Sequence, residues 1–325
     1  MAIDWPEAQW ERARPHVRIT LAEAADLVAP LGHAFELELL AGGKANTNYR
    51  VRMRERDDLV LRIYERAPGL CAREAALLEG LDPDIPAPTP LLDGRLASGQ
   101  PVALLPFVAG VHPWRIMDES TAPALGRACG KTLALLALHH PAEVAGLYAD
   151  DLSLARRFDS IGHAFTDLIE WSLRKGRARR RLPPELRASL RERVELLARA
   201  LEPLDAHLCL THGDYKLSNI LVQPRGTGFV VSGLLDWEFA GPFTPLLDVA
   251  ILLRHEAHFP PSFAEGFARA YREAGAWLPT SWRRLAKLVD LMNMVGFLNG
   301  TSSRPQLEAQ AIEQIAATLA AERSN

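Results

Sequence analysis

The chain has 325 residues, which allows two domains or one large domain with two lobes. Hydrophobic residues are 48% and charged residues 24%, the balance of a soluble globular protein, and a net charge of −3 provides no global attraction for nucleic acid. No apolar run approaches the ~20 residues of a membrane span, the opening Met-Ala-Ile-Asp-Trp-Pro-Glu lacks a secretory signal's basic and apolar regions, and Cys71, Cys129 and Cys209 are too scattered for a disulfide framework or zinc site, so a reducing cytoplasm is expected.

In chain order, Thr20 and Glu23 form a capping box that predicts a short helix through Leu21, Ala24, Ala25 and Leu27, with Gly32 as its stop. Three strand-like runs follow at 35–40, 48–53 and 59–64; Tyr49/Val51/Met53 and Leu59/Leu61/Ile63 alternate. Gly42-Gly43 separates the first pair and Asp57-Asp58 the second, which reads as an antiparallel meander. Residues 72–81 read as a helix, followed by the prolines at 83, 86, 88 and 90, a turn at Asp93-Gly94 and the apolar run 102–108. Residues 1–108 are therefore expected to form a small β-rich N-terminal lobe. From Ala122 the spacing is helical: Leu125, Cys129, Leu133 and Leu136, then Leu186, Leu190, Val194 and Leu197. Between these helices lies the basic run 174–181. Strands at 219–222 and 229–235 interrupt the helices, which resume near 248–257, 262–274, 281–299 and 305–322. Residues 109–325 thus read as a larger helical lobe carrying one hairpin, an α+β chain overall.

The segment Thr211-His212-Gly213-Asp214-Tyr215-Lys216-Leu217-Ser218-Asn219 enters the first hairpin strand, and Leu235-Asp236-Trp237-Glu238 leaves the second. An Asp, a Lys, an amide and a second Asp so cluster around one hairpin. Phosphoryl transfer uses these types: a carboxylate takes the attacking hydroxyl's proton, a cation meets the moving phosphoryl charge, and oxygen ligands hold Mg²⁺. Singly, each residue is more simply a turn, a strand start or a cap; the D-x-K-x-x-N spacing of the protein-kinase catalytic loop favours function.

These segments resemble the aminoglycoside phosphotransferase and choline kinase-like family, whose loop H-G-D-x-x-x-x-N is followed by D-[WF]-[ED]. The resemblance spans roughly residues 30–300. It implies the bilobal protein-kinase-like fold, with ATP and Mg²⁺ in the cleft, Asp214 as catalytic base, and Asn219 and Asp236 as metal ligands. Lys216 stands where protein kinases place a phosphate-contacting Lys, although many members of this family lack it. His212 is expected to bond backbone around the loop, and Asp248 to be an N-cap or to steady the loop. In the small lobe, Gly42, Gly43 and Asn46 lie in the family's glycine-containing turn. Arg62 in Val60-Leu61-Arg62 would contact the α- and β-phosphates, paired with Glu74. Pro106 and Val108 would offer a carbonyl and an N–H to adenine at the interlobe hinge.

The implied acceptor is a hydroxyl of a small molecule. Glu238, Glu256 and Glu265 could serve a cationic acceptor; the basic run 174–181 leans toward an anionic one, though a solvated helix end or loop explains it as well. A protein Ser/Thr kinase is disfavoured: D-F-G and A-P-E are missing, and only 11 residues separate Asp236 from Asp248. A nucleotide-binding module without turnover remains as the non-enzymatic alternative. No nucleic-acid or membrane partner is expected, and oligomeric state is left open.

Overall fold

The computed structural model describes residues 5–12, 14–40, 43–67 and 69–323. The capping box forms as expected, with Thr20 Oγ1 accepting the Glu23 N–H, and starts helix α1 (Leu21–Val28). Next come strands β1 (Ala34–Leu40), β2 (Thr47–Met53) and β3 (Leu59–Ile63), helix α2 (Gly69–Glu79), and strands β4 (Leu92–Arg95) and β5 (Pro101–Pro106). They form one antiparallel sheet in the order β1-β2-β3-β5-β4. Alternation seats Tyr49, Val51, Met53, Leu59, Leu61 and Ile63 in one core with Val28, Val102 and Leu104. Asp93-Gly94 is not the expected turn. It lies within β4, and the chain reverses at residues 97–99, where Gly99 has φ +84° and its N–H bonds Leu96 O at 2.8 Å.

Beyond β5 the chain crosses to the second lobe through residues 107–112, where Val111 pairs with Val222. That lobe contains α3 (Pro113–Ile116), α4 (Ala122–His139), β6 (Ala145–Tyr148), β7 (Leu154–Phe158), α5 (Ile161–Arg174), α6 (Ala178–Arg181) and α7 (Pro184–Ala200). It continues with β8 (Cys209–Thr211), β9 (Ile220–Arg225), β10 (Gly228–Leu234), β11 (Gly241–Phe243), α8 (Leu246–Leu253), α9 (Pro261–Glu273), α10 (Trp282–Phe297) and α11 (Pro305–Ala321). Helices α4 and α9 pack backbone to backbone: a Cβ on Gly126 would sit 2.1 Å from Phe263 O, and one on Gly130 2.3 Å from Phe267 O. This helix pair is the platform beneath the hairpin, and the core around it includes Phe263, Phe267, Tyr215 and Trp237. Among the described residues no helix is long and apolar enough to cross a membrane. Part of the basic run is tied down: Arg174 pairs with Glu170, Arg181 with Glu308 and Leu298 O, and the Ala178 N–H with Asn299, while Lys175, Arg177, Arg179 and Arg180 face solvent.

Candidate active site

Two strand pairs bring distant segments side by side. Thr211 at the end of β8 pairs with Gly241 at the start of β11. Ile220 pairs with Leu234 across the β9–β10 hairpin, and the Leu235 N–H bonds Asn219 O at 2.8 Å. The loops 212–219 and 235–240 are clamped at both ends by antiparallel pairing and must lie together. Gly213 takes φ +74°, and a Cβ there would fall 2.3 Å from Phe239 O, so the close approach of the two loops requires glycine. Asp236 holds φ +69°, a left-handed conformation uncommon outside glycine and maintained at its turn into the cleft.

The loop is braced from below. Both Asp248 oxygens accept backbone N–H groups, from His212 at 2.7 Å and Gly213 at 2.9 Å. Burial raises the Asp248 carboxyl to about 7, against these two amides, which favour the anion. Asp248 sits in the first turn of α8 behind the N-cap Pro245, so it steadies the loop rather than capping the helix. Tyr215 is fully buried and donates to Cys129 O of α4 at 2.8 Å.

His212 is fixed at both ring nitrogens: Nε2–H donates to Leu235 O at 3.0 Å and Nδ1 accepts the Asp214 N–H at 3.2 Å. Burial, only partly countered by Asp236, lowers its pKa from 6.5 to about 4. Between those values the unfolded chain binds the proton and the folded one does not. Its contribution is therefore complete above pH 6.5 and is lost as pH falls toward 4, about 3 kcal/mol in full. Urea midpoints of wild type and His212→Gln should converge as pH drops from 7 to 4; a constant gap would remove His212 as the titrating group.

Asp214, Lys216 and Asn219 meet as the spacing implied. Asp214 Oδ2 accepts the Asn219 amide at 2.8 Å and pairs with Lys216 Nζ at 2.8 Å. Burial raises the Asp214 carboxyl above its usual range even against Lys216, and burial of Lys216 is more than offset by Asp214 and Glu7, which hold its ammonium charged. Opposite them, Asp236 Oδ1 accepts from Arg62 Nη2. Burial pushes Asp236 up, but Arg62 and Lys216 outweigh it and keep the carboxylate ionised. The two aspartates are thus driven in opposite directions, the division seen where one carboxyl serves as base and another as a fixed charge.

Arg62 Nε lies 3.4 Å from Glu74 Oε2, an ion contact without a hydrogen bond. Glu74 also accepts from Tyr64 OH at 2.7 Å and the Trp237 N–H at 2.9 Å, so α2 grips the Asp236 turn directly. Gly43 and Asn46 lie in the β1–β2 turn, and Gly42 falls outside the described residues. Asn46 is buried between the lobes. Its oxygen accepts the Glu65 N–H at 3.3 Å and its amide donates to Glu238 at 3.2 Å. Glu238 is 2% exposed, and burial raises it to about 7; it faces Asn46 and Arg66. Pro106 ends β5, and Val108 packs against Gly233 of β10.

The sequence reading missed the segment before α1. Trp5 stacks on Phe259 at 5.8 Å, and the Trp10 indole donates to Gln310 at 2.6 Å. Buried Glu7 approaches Lys216 at 3.9 Å. Arg12 then binds the small lobe through Gly43 O, Asn46 O and Glu65. Two tryptophans within six residues were the only signal, because their partners lie hundreds of positions away.

The donor set suits Mg²⁺. Asn219 commits its amide nitrogen to Asp214, leaving a carbonyl oxygen, and Asp236 is held anionic; nucleotide-borne Mg²⁺ needs one or two such protein oxygens. A sheet lobe, a helical lobe and a carboxylate–lysine–amide loop facing a second carboxylate define a bilobal phosphotransferase of protein-kinase-like fold. The family model described as phosphotransferase enzyme family matches residues 36–288, and the chain belongs to that family. No curated protein matches the chain. Among solved structures, a macrolide 2′-phosphotransferase from Brachybacterium faecium is similar at 20% identity and TM-score 0.65, covering 92% of this chain and 97% of that one. A thermostable aminoglycoside phosphotransferase mutant in complex with AMP-PNP and hygromycin B is similar at 17% and 0.69, covering 94% and 100%. A microcompartment-associated aminopropanol kinase is similar at 20% and 0.64, covering 94% and 97%. At these identities the likeness is one of fold.

Proposed function

We propose that this phosphotransferase is an ATP- and Mg²⁺-dependent cytoplasmic kinase that transfers the γ-phosphate to a hydroxyl of a small molecule. The observation that carries the reading is the convergence of Asp214, Lys216 and Asn219 with Asp236 and Arg62 between the lobes, which we divide near residue 108. Asp214 orients the acceptor hydroxyl and takes its proton as the new bond forms. Lys216 and Arg62 supply positive charge on the phosphate side. Asn219 and Asp236 would hold Mg²⁺, which neutralises phosphate charge when bound. Positioning and charge complementarity then lower the barrier. Gly43 in the β1–β2 turn borders the phosphates, and the backbone at Pro106 and Val108 receives adenine.

The solved relatives are named for small molecules: a macrolide, hygromycin B and aminopropanol. Burial of Glu238 removes one acidic wall expected for a polycation, and Glu256 is paired with Arg283 and Lys287. A coupled ADP-release screen over amino alcohols, sugars, simple alcohols and antibiotics tests the proposal. Acceptor-stimulated release that requires Mg²⁺ supports it; no nucleotide turnover with any acceptor would return the chain to a binding module.

A further inference from the structure

The segment before α1 lies outside the family-matched residues 36–288, yet it brings a carboxylate to the catalytic loop. Glu7 is 4% exposed and faces cations from two elements. Its Oε2 is 3.9 Å from Lys216 Nζ on the loop; its Oε1 is 3.7 Å from Arg254 Nη1 and 3.7 Å from His255 Nε2, just beyond α8. Arg254 in turn grips Asp290 of α10 through two bonds of 2.7 and 2.8 Å. A line of alternating charge so runs from Asp214 through Lys216, Glu7 and Arg254 to Asp290. The segment is anchored at each side of the cleft, by Trp5 on Phe259 and by Arg12 on the β1–β2 turn.

We propose that Glu7 is a positioning residue for phosphoryl transfer: it shares Lys216 with Asp214 and so fixes where the lysine's charge stands over the catalytic loop. This rests on the kinase reading above. Lys216 bonds Asp214 at 2.8 Å with Glu7 behind it at 3.9 Å; without Glu7 more of the ammonium's charge falls on Asp214, which makes the oxygen that must meet the acceptor hydroxyl a weaker base. Glu7 gives the buried ammonium a second counter-charge that takes no part in the reaction. Among the described residues Glu7 Oε1 meets Arg254 and His255 at 3.7 Å, ion contacts longer than a hydrogen bond.

The test uses the full chain with Glu7→Gln and Glu7→Asp, each checked by thermal melting. ADP release from Mg²⁺-ATP with the best acceptor of the screen, or with water alone, gives kcat and KM. Glu7→Gln should lower kcat roughly tenfold with KM for ATP within about twofold, and Glu7→Asp should recover most of the loss. Independently of turnover, acetylation of Lys216 by acetic anhydride, followed by peptide mass spectrometry, should speed up several-fold in Glu7→Gln, because a buried ammonium with one fewer counter-charge releases its proton more readily. Unchanged labelling and unchanged kcat would overturn the proposal, as would a pure KM effect. If wild type releases no ADP at all, the kinase reading fails, and the labelling still decides whether Glu7 holds Lys216. Should Glu7→Gln not fold, Glu7→Asp carries both readouts, and wild-type labelling and kcat there count against Glu7.

Discussion

Asp214→Ala should lower turnover by about three orders of magnitude and leave nucleotide affinity nearly unchanged. Losing a positioned general base costs roughly 10²–10⁴ in rate, or about 3–5 kcal/mol of barrier. We expect Asp214 to fall near the middle of that range, since one oxygen organises two neighbours: it accepts the Asn219 amide and pairs with Lys216. Without it the acceptor should lose its proton sink, and Lys216 should keep Glu7 and Asp236 as its counter-charges. Asp214→Asn separates the two effects, keeping the shape and the bond to Asn219 while removing basicity. Steady-state ADP release and calorimetric nucleotide titration decide between them. A variant with wild-type turnover would remove Asp214 from the chemistry.

Asp236→Ala should abolish the Mg²⁺ dependence of nucleotide binding. In wild type, titration with Mg²⁺ should be tighter than titration in chelator by about a hundredfold, equivalent to about 2.7 kcal/mol. In the variant the two should coincide. Asp236 is suited to this because Arg62 and Lys216 keep it ionised despite burial, and its left-handed backbone is held by Glu74 through the Trp237 N–H. The variant also strips Arg62 of its hydrogen-bonded carboxylate, leaving Glu74 at 3.4 Å, so some loss of melting temperature accompanies the binding defect. A variant that still binds nucleotide more tightly with Mg²⁺ would place the metal elsewhere.

The catalytic loop could be read from sequence because phosphoryl transfer demands particular residue types at a particular spacing, and because the hairpin that joins 219 to 235 is short enough to see. The sheet of the small lobe was legible through β1–β3, with alternation clear in β2, partial in β3 and absent from β1, which was read as a strand-like run. Strand β4 was not, since Asp93-Gly94 carries turn chemistry but lies on an edge strand whose reversal follows at Gly99. β8 and β11 escaped notice as three-residue strands, one of them Gly-Pro-Phe, although their pairing closes the loop at its outer end. Burial cannot be read from a charged letter: Glu238 suggested an acceptor-facing acid and is instead a lobe-bridging partner of Asn46. The contribution of Glu7 was invisible for a related reason, because the three cationic or imidazole side chains within 4 Å of its carboxylate, Lys216, Arg254 and His255, lie more than 200 positions away.

In the proposed reaction a hydroxyl, aligned by Asp214, receives the γ-phosphoryl group directly. Phosphorus NMR of Mg²⁺-ATP with an acceptor from the screen tests it most directly, run in parallel on wild type and Asp214→Ala. In wild type alone the γ-phosphate signal should disappear, matched by growth of a phosphate-ester signal on the acceptor. Equal ester formation by both proteins, or release of inorganic phosphate with no ester in either, would contradict it.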